Sequence, residues 1–336
     1  MQRKTSFRPD LKETLLIITG AAGFIGSCLV RHLNDLGFSK LLLVDDLKKN
    51  DKWKNLGGKL FLDLISKHEL FSYLEKGRHP QIGAIVHLGA CSDTLQTDAS
   101  YLWENNYRYS QHLAELALKK KLRFIFASSA ATYGRGDLGF EDQEASLISL
   151  RPINMYAFSK HLFDLWCRQK KLFSKLVSLK FFNVFGPNEY HKGHMASMIF
   201  KMYKKALAGE PIGLFKSNDP KYPDGEQKRD FIYVKDTVRM IASFLFENRR
   251  VNGLFNVGTG RASSWNEVAL DLFAALGQKP RIEYIEMPSD LNLQYQNFTQ
   301  ASMEKWQRNC GPLKLTALKE AIFDYVQNYL LKGSTW

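Results

Sequence analysis

Three side chains are suited to move hydride and proton at one carbon: Ser129, Tyr156 and Lys160. In "NMYAFSK" Tyr156 and Lys160 are four apart, so a helix stacks them on one face. A free phenol titrates near ~10, and an ammonium that favours phenolate makes it a usable acid or base at neutral pH. Ser129 closes the apolar run "RFIFASS", where a strand end presents its hydroxyl to a reacting alcohol. Serine then orients, tyrosine moves the proton and lysine holds a cofactor ribose. A second loop, "GPNEYHKGHMAS" at 186–197, adds Lys192 beside a histidine and a glycine. Hydride transfer alone gives no reason for that lysine.

The elements that must hold these groups are written around them. "TGAAGFIG" spaces Gly20, Gly23 and Gly26 between the apolar run "LLIIT" and a helical pattern, so the backbone can turn tightly and aim N–H groups at a pyrophosphate. About twenty residues on, "LLLVDD" ends in Asp45 and Asp46, where a dinucleotide fold sets an acid against a ribose 2′-hydroxyl. Lys48, Lys49 and Lys52 follow and suit a 2′-phosphate, so the residues themselves leave NAD and NADP open. The runs "LLIIT", "KLLLVDD", "AIVHLG" and "RFIFASS" alternate with helices such as 107–119. That alternation predicts an α/β domain with a doubly wound parallel sheet of the Rossmann kind, "RFIFASS" being its fourth strand. After Gly186, loops rich in glycine, proline and lysine surround a helix at 195–208 and predict a smaller substrate-binding lobe. A helix at 234–247 and the strand "GLFNVG" return to the sheet. The expected division is 1–186 with 229–258 for the dinucleotide-binding domain, and 187–228 with 259–336 for the substrate-binding domain.

The totals are those of a globular protein: 336 residues, 45% hydrophobic and 24% charged. A formal net charge of +13 favours anionic partners, whether nucleic acid, acidic membrane or phosphorylated small molecule. The lysine runs at 119–121, 170–171 and 204–205 read as solvated helix ends and faces. Cys28, Cys91, Cys167 and Cys310 are far apart and form no CxxC pair, which reads as reduced thiols in a cytoplasmic protein. His191 and His194 lack a carboxylate or cysteine cluster to complete a site, so no metal is expected. "LLIITGAAGFIGSCLV" is too short for a bilayer span, and its glycines suit a strand, a turn and a helix.

With Ser129, Tyr156 and Lys160 in order behind the glycine turn, the chain from Leu15 to about Tyr329 resembles the extended short-chain dehydrogenase/reductases, the NAD-dependent epimerase/dehydratase family. The stretches "GACS", "NNYRYS", "SSAATYG", "FFNVFGPNEYHKGHMAS", "KRDFIYVKD", "FNVGTGRASS" and "YQNFTQA" look most like the branch that inverts C6 of an ADP-bound heptose destined for lipopolysaccharide core. The resemblance implies an isomerase that interconverts ADP-D-glycero-β-D-manno-heptose and ADP-L-glycero-β-D-manno-heptose. It would work by transient oxidation with a tightly bound nicotinamide cofactor, NADP by preference with NAD possible. It also implies a small ADP-sugar as partner, no nucleic acid and no membrane, and a homo-oligomer, a pentamer.

By the same resemblance, cofactor contacts fall on Phe24, Ile25, Asp45, Asp46, Lys52, Lys67, Asn105, Tyr156, Lys160 and Val184, with Leu88, Gly89, Ala90, Cys91 and Ser92 lining the cofactor. Leu88 stands where the family usually has glutamate. Asp46 stands where it has asparagine, adding negative charge near a 2′-phosphate. Substrate contacts carry to Ser129, Asn183, Lys192, Phe215, Lys216, Ser217, Asn218, Arg229 and Tyr295, and to His194 and Lys201, which replace a serine and a histidine. Arg229 offers a planar fork for a diphosphate. The resemblance also gives Lys192 a task. An epimerase takes hydride from one face of a carbon and returns it to the other, and the family serves those two faces with a tyrosine and a second-loop lysine, here Tyr156 and Lys192. An ammonium that titrates near ~10.4 acts more readily as an acid unless burial lowers it. The alternative is a loop lysine that neutralises the diphosphate.

Other readings compete. A nucleotide-sugar 4,6-dehydratase needs an acidic pair just after the strand serine, where this chain has Ala130 and Ala131. Another nucleotide-sugar epimerase, such as a hexose 4-epimerase, leaves "EYHKGHM" unexplained. A non-catalytic dinucleotide- or RNA-binding relative has no physical need for Ser129, Tyr156, Lys160 and Lys192 together.

Overall fold

A computed structural model describes residues 9–48, 50–77, 79–289 and 295–336. Lys49, expected beside a 2′-phosphate, lies outside them. The strands are β1 (Leu15–Thr19), β2 (Leu41–Val44), β3 (Asp63–Ile65), β4 (Ile82–His87), β5 (Arg123–Ser129), β6 (Val177–Phe181), β7 (Asn183–Phe185), β8 (Ile212–Phe215), β9 (Lys228–Tyr233), β10 (Gly253–Val257), β11 (Ala262–Ser264) and β12 (Ile282–Ile285). Seven form one parallel sheet in the order β10-β6-β5-β4-β1-β2-β3. A doubly wound sheet follows from β1 alone: all five residues are buried, with Leu16 and Ile18 in one core and Leu15 and Ile17 in the other. The chain reverses direction of travel between β1 and β4, and their carboxyl ends diverge into a crevice.

Several boundaries differ from the sequence reading. "RFIFASS" is the fifth strand, because β3 is only three residues long and mostly exposed or half-buried, which hides its pattern. The helix expected at 195–208 spans Met198–Leu207, because the Ser197 hydroxyl caps it by accepting from Phe200 N–H at 3.2 Å. The helix expected at 234–247 ends at Ser243. The one expected at 107–119 is α-helical over Tyr109–Lys119 and continues from a π-helical turn at Trp103–Arg108.

Beyond the large sheet, β7, β9 and β11 form a three-stranded sheet and β8 pairs with β12. Strand β10 pairs in parallel with β6, so the segment after the second loop does return to the large sheet. Among the described residues no helix is long and apolar enough to cross a membrane.

The glycine turn is the tightest joint. Gly20 has φ +67°, and a Cβ there would meet the Gly89 backbone at 2.7 Å. A Cβ on Gly26 would fall 2.0 Å from the Gly20 carbonyl oxygen. Gly26→Ala is therefore expected to destabilise the fold by about 1–3 kcal/mol. Displacement of the turn should weaken nicotinamide dinucleotide binding by about tenfold or more. Denaturant unfolding and a cofactor titration check both, and wild-type values in each would contradict the close approach.

Candidate active site

At the carboxyl ends of β1, β2, β4, β5 and β6 lies a cleft of about 740 Å³, and every described residue expected at the cofactor lines it, from the glycine turn to Lys192. The turn leaves a cradle that side chains would fill, so the residues fit a dinucleotide pyrophosphate. Asp45 already holds that turn: Oδ2 accepts from Ala22 N–H at 2.8 Å, and Oδ1 takes Asp46 N–H at 2.7 Å and the Lys52 ammonium at 2.6 Å. Lys48 also borders the cleft. The Lys67 ammonium donates to Asn105 Oδ1 at 2.7 Å, and burial lowers its pKa.

Sequence reasoning missed Asn106. Fully buried in the π-helical turn, its side chain acts as a strand partner for Cys91, accepting from the Cys91 N–H and donating to the Cys91 carbonyl, both at 2.8 Å. It also donates to Ser159 Oγ at 3.0 Å, and Ser159 bonds the Tyr156 carbonyl at 2.7 Å. One amide thus ties the loop "LGACS" to the helix of the reacting tyrosine. The extra residue of a π turn aims Asn105 and Asn106 inward. His87, another buried lining residue, pairs with Thr19 at 2.6 Å and Ser110 at 2.8 Å. Burial lowers its pKa to about 3, so it is neutral at pH 7.

Helix Met155–Gln169 starts where Asn154 Oδ1 accepts from Ala157 N–H at 2.8 Å, and it carries Tyr156 and Lys160 along the cleft. Ser129 lies beside Tyr156 at the end of β5. Burial raises the Tyr156 phenol above its ordinary pKa, and the hydrogen bond with Ser129 opposes that rise. The main influence expected from the sequence is the Lys160 ammonium. Instead, Lys160 Nζ donates to the Ala127 carbonyl at 2.7 Å and lies 4.6 Å from the Phe126 ring centroid. Burial brings its pKa down to about 7.

Lys192 borders the same cleft from a short 3₁₀ turn, Tyr190–Met195, with Nζ 5.7 Å from the Phe24 ring centroid. Burial lowers its pKa, while Glu189 acts in the other direction. The condition for Lys192 to serve as a base as well as an acid is therefore met in direction. Ser129, Asn183, His194 and Lys201 share the cleft. The other expected substrate contacts do not line it. Arg229, Phe215 and Tyr295 pack together against the lining residue Trp265: the Arg229 guanidinium is 5.0 Å from the Tyr295 ring and 5.8 Å from Trp265, and Tyr295 accepts from Trp265 Nε1–H at 3.0 Å. Lys216 pairs with Glu286 at 2.6 Å, and Ser217 N–H bonds Asp224, with Asn218 next in the chain. His191 contacts Asn55 at 3.2 Å and His194 contacts Asp93 at 3.1 Å, and among the described residues no group of three metal-ligating side chains occurs.

A dinucleotide cleft floored by serine, tyrosine and lysine defines an enzyme that oxidises or reduces a hydroxyl-bearing carbon with a nicotinamide cofactor. The chain belongs to the NAD dependent epimerase/dehydratase family, whose profile matches residues 16–258. It is 47% identical over 317 residues to an ADP-L-glycero-D-manno-heptose-6-epimerase of Nitratidesulfovibrio vulgaris, a match covering 94% of this chain and 98% of that one. A crystal structure of the Helicobacter pylori ADP-L-glycero-D-manno-heptose-6-epimerase superposes with TM-score 0.78 at 29% identity, over 96% and 98% of the two chains. The UDP-glucose 4-epimerase of Thermus thermophilus in complex with NAD superposes with TM-score 0.72 at 25% identity, over 93% and 98%.

The Lys160 environment has a testable sign. Its unfolded pKa is near ~10.4 and its folded pKa is about 7, so the native state sheds the proton first as pH rises. The cost of burying its charge is fully present below pH 7 and gone near pH ~10. In the cofactor-free protein, the stability of Lys160→Met relative to wild type should fall by a few kcal/mol between about pH 6 and about pH 10. Denaturant unfolding at the two pH values measures this, and a pH-independent difference would contradict it.

Proposed function

We infer that this chain interconverts ADP-D-glycero-β-D-manno-heptose and ADP-L-glycero-β-D-manno-heptose at C6, supplying heptose for lipopolysaccharide core. The observation that carries this reading is Lys192 in the same cleft as Tyr156. Two proton carriers serve one carbon there, where simple dehydrogenation needs only one. The near-full-length likeness to enzymes of that name supports it.

Lys160, Lys67 and the glycine turn would hold the cofactor, which when bound supplies a store for the C6 hydride while that carbon is a ketone. Ser129 orients the C6 hydroxyl and Tyr156 takes its proton. Rotation about the C5–C6 bond turns the other face of the carbonyl, and Lys192 gives a proton to the oxygen there. In the reverse direction the two exchange roles. Asn183, His194 and Lys201 meet the sugar, and the cluster of Phe215, Lys216, Ser217, Asn218, Arg229 and Tyr295 takes the ADP side once Trp265 yields. The cofactor is NADP: Lys48, Lys52 and Lys67 gather at the cleft, and Lys52 offsets the charge of Asp45. We assign 1–186 with 229–258 to the dinucleotide-binding domain and 187–228 with 259–336 to the substrate-binding domain, in a cytoplasmic homo-oligomer, a pentamer.

Incubation of the cofactor-loaded protein with ADP-D-glycero-β-D-manno-heptose, followed by proton NMR at C6, should give a mixture of epimers without net cofactor consumption. No conversion by folded, loaded protein would overturn the substrate. Tyr156→Phe and Lys192→Ala should each lower kcat by about 10²–10⁴. Wild-type turnover in Lys192→Ala would remove the second proton carrier.

A further inference from the structure

The second loop contains a buried carboxylate that the chemistry above does not use. Glu189 is 1% exposed, yet it borders the cleft. Its hydrogen bonds all come from neutral donors. Oε1 accepts from Gly186 N–H at 3.2 Å, the Ser197 hydroxyl at 2.8 Å and the Tyr325 hydroxyl at 3.0 Å, and Oε2 accepts from Ser197 N–H. Gly186 and Ser197 are the two ends of the loop that carries Lys192, so one carboxylate closes that loop on itself. Ser197 also caps helix Met198–Leu207, and Tyr325 reaches in from helix Leu318–Tyr325. Glu189's own carbonyl accepts from Lys192 N–H at 3.0 Å. The next bend is fixed as well: Asn188 has φ +75° and its side chain donates to Ser27 Oγ at 2.9 Å.

Four donors engage this carboxylate, three of them on Oε1, and they oppose the rise in its pKa that burial causes, so the group is committed to the loop. Burying such a group is costly, and neutral residues could close a loop without that cost. What a neutral residue lacks is charge. The ammonium that responds to Glu189 is that of Lys192, whose loss of charge on burial Glu189 opposes. Other titratable groups face this pair from each packed element: Cys28 from helix Phe24–Asp35, Lys52 from the turn Asp51–Leu56, Tyr190 and His191 from the loop, and Tyr325.

We propose that Glu189 is the positioning residue of the second proton carrier: it locks the loop so that Lys192 faces the cleft. The proposal rests on the reading of Lys192 given above. In the cofactor-loaded enzyme, Glu189→Gln should lower kcat by about tenfold to a hundredfold, with KM within about twofold of wild type and cofactor affinity unchanged. Loss of the anion makes the Lys192 ammonium easier to deprotonate, so the basic limb of the kcat profile should move to lower pH. Tyr325→Phe removes one donor from outside the loop and should lower kcat by a severalfold smaller factor, again at constant KM. If Glu189→Gln does not fold, the Tyr325→Phe result decides. Lys192→Ala measured alongside separates the two ideas. Wild-type rate in Lys192→Ala defeats the reading of Lys192 and this proposal with it. A slow Lys192→Ala enzyme beside Glu189→Gln or Tyr325→Phe enzymes with wild-type kcat and pH profile defeats the role of Glu189 alone.

Discussion

Taking an ammonium or a carboxylate out of water costs several kcal/mol unless hydrogen bonds or opposite charge replace the solvent. This protein meets that constraint repeatedly around one cleft. Lys180 is fully buried and pairs with Asp164 at 3.1 Å, and Asp164 also takes hydroxyls from Ser128 and Ser178 at 2.6 and 2.8 Å. That knot lies directly under the strand end that presents Ser129. Lys160 is buried against the Ala127 carbonyl, Glu189 accepts from four neutral donors, and Arg229 is buried among aromatic rings. Each group can be fixed only because the surrounding backbone and side chains are fixed too. The positions of the reacting side chains are therefore a property of the packed sheet and its helices.

The same constraint sets the acid–base poise. Burial raises the Tyr156 phenol and lowers both lysines, so all three move toward their neutral forms. A phenol can give a proton and a neutral amine can take one, which suits a reversible reaction whose two half-steps are mirror images. A dehydrogenase working in one direction has no such need. In the proposed cycle the second loop supplies the symmetry, with Lys192 as carrier and Glu189 holding it.

Local signals made much of this legible in advance. The strand, glycine turn and acid of the first unit are contiguous in sequence, and the five buried residues of β1 read as a strand covered on both faces. Tyr156 and Lys160 need only the periodicity of one helix. The missed features depend on partners distant in the chain: Asn106 works through Cys91 and Ser159, and Glu189 through Tyr325. No spacing rule exposes an asparagine or glutamate of that kind. The start of helix Met198–Leu207 was readable, since Ser197 is a capping residue type just before an apolar run. The short, largely uncovered β3 offered almost no pattern. The substrate cluster around Arg229 and Tyr295 is expected only from resemblance, and the packing shows that it lies against the lining residue Trp265 and does not itself line the cleft.

The central claim is that hydride leaves C6 and returns to the same carbon on the opposite face. The most direct measurement uses ADP-heptose carrying deuterium at C6, converted in ordinary water by the cofactor-loaded protein and analysed by NMR and mass spectrometry. The account predicts that the inverted product keeps its deuterium at C6 and that none enters solvent. Inverted product with hydrogen from water at C6 would contradict it, because the inversion would then proceed by proton exchange at carbon.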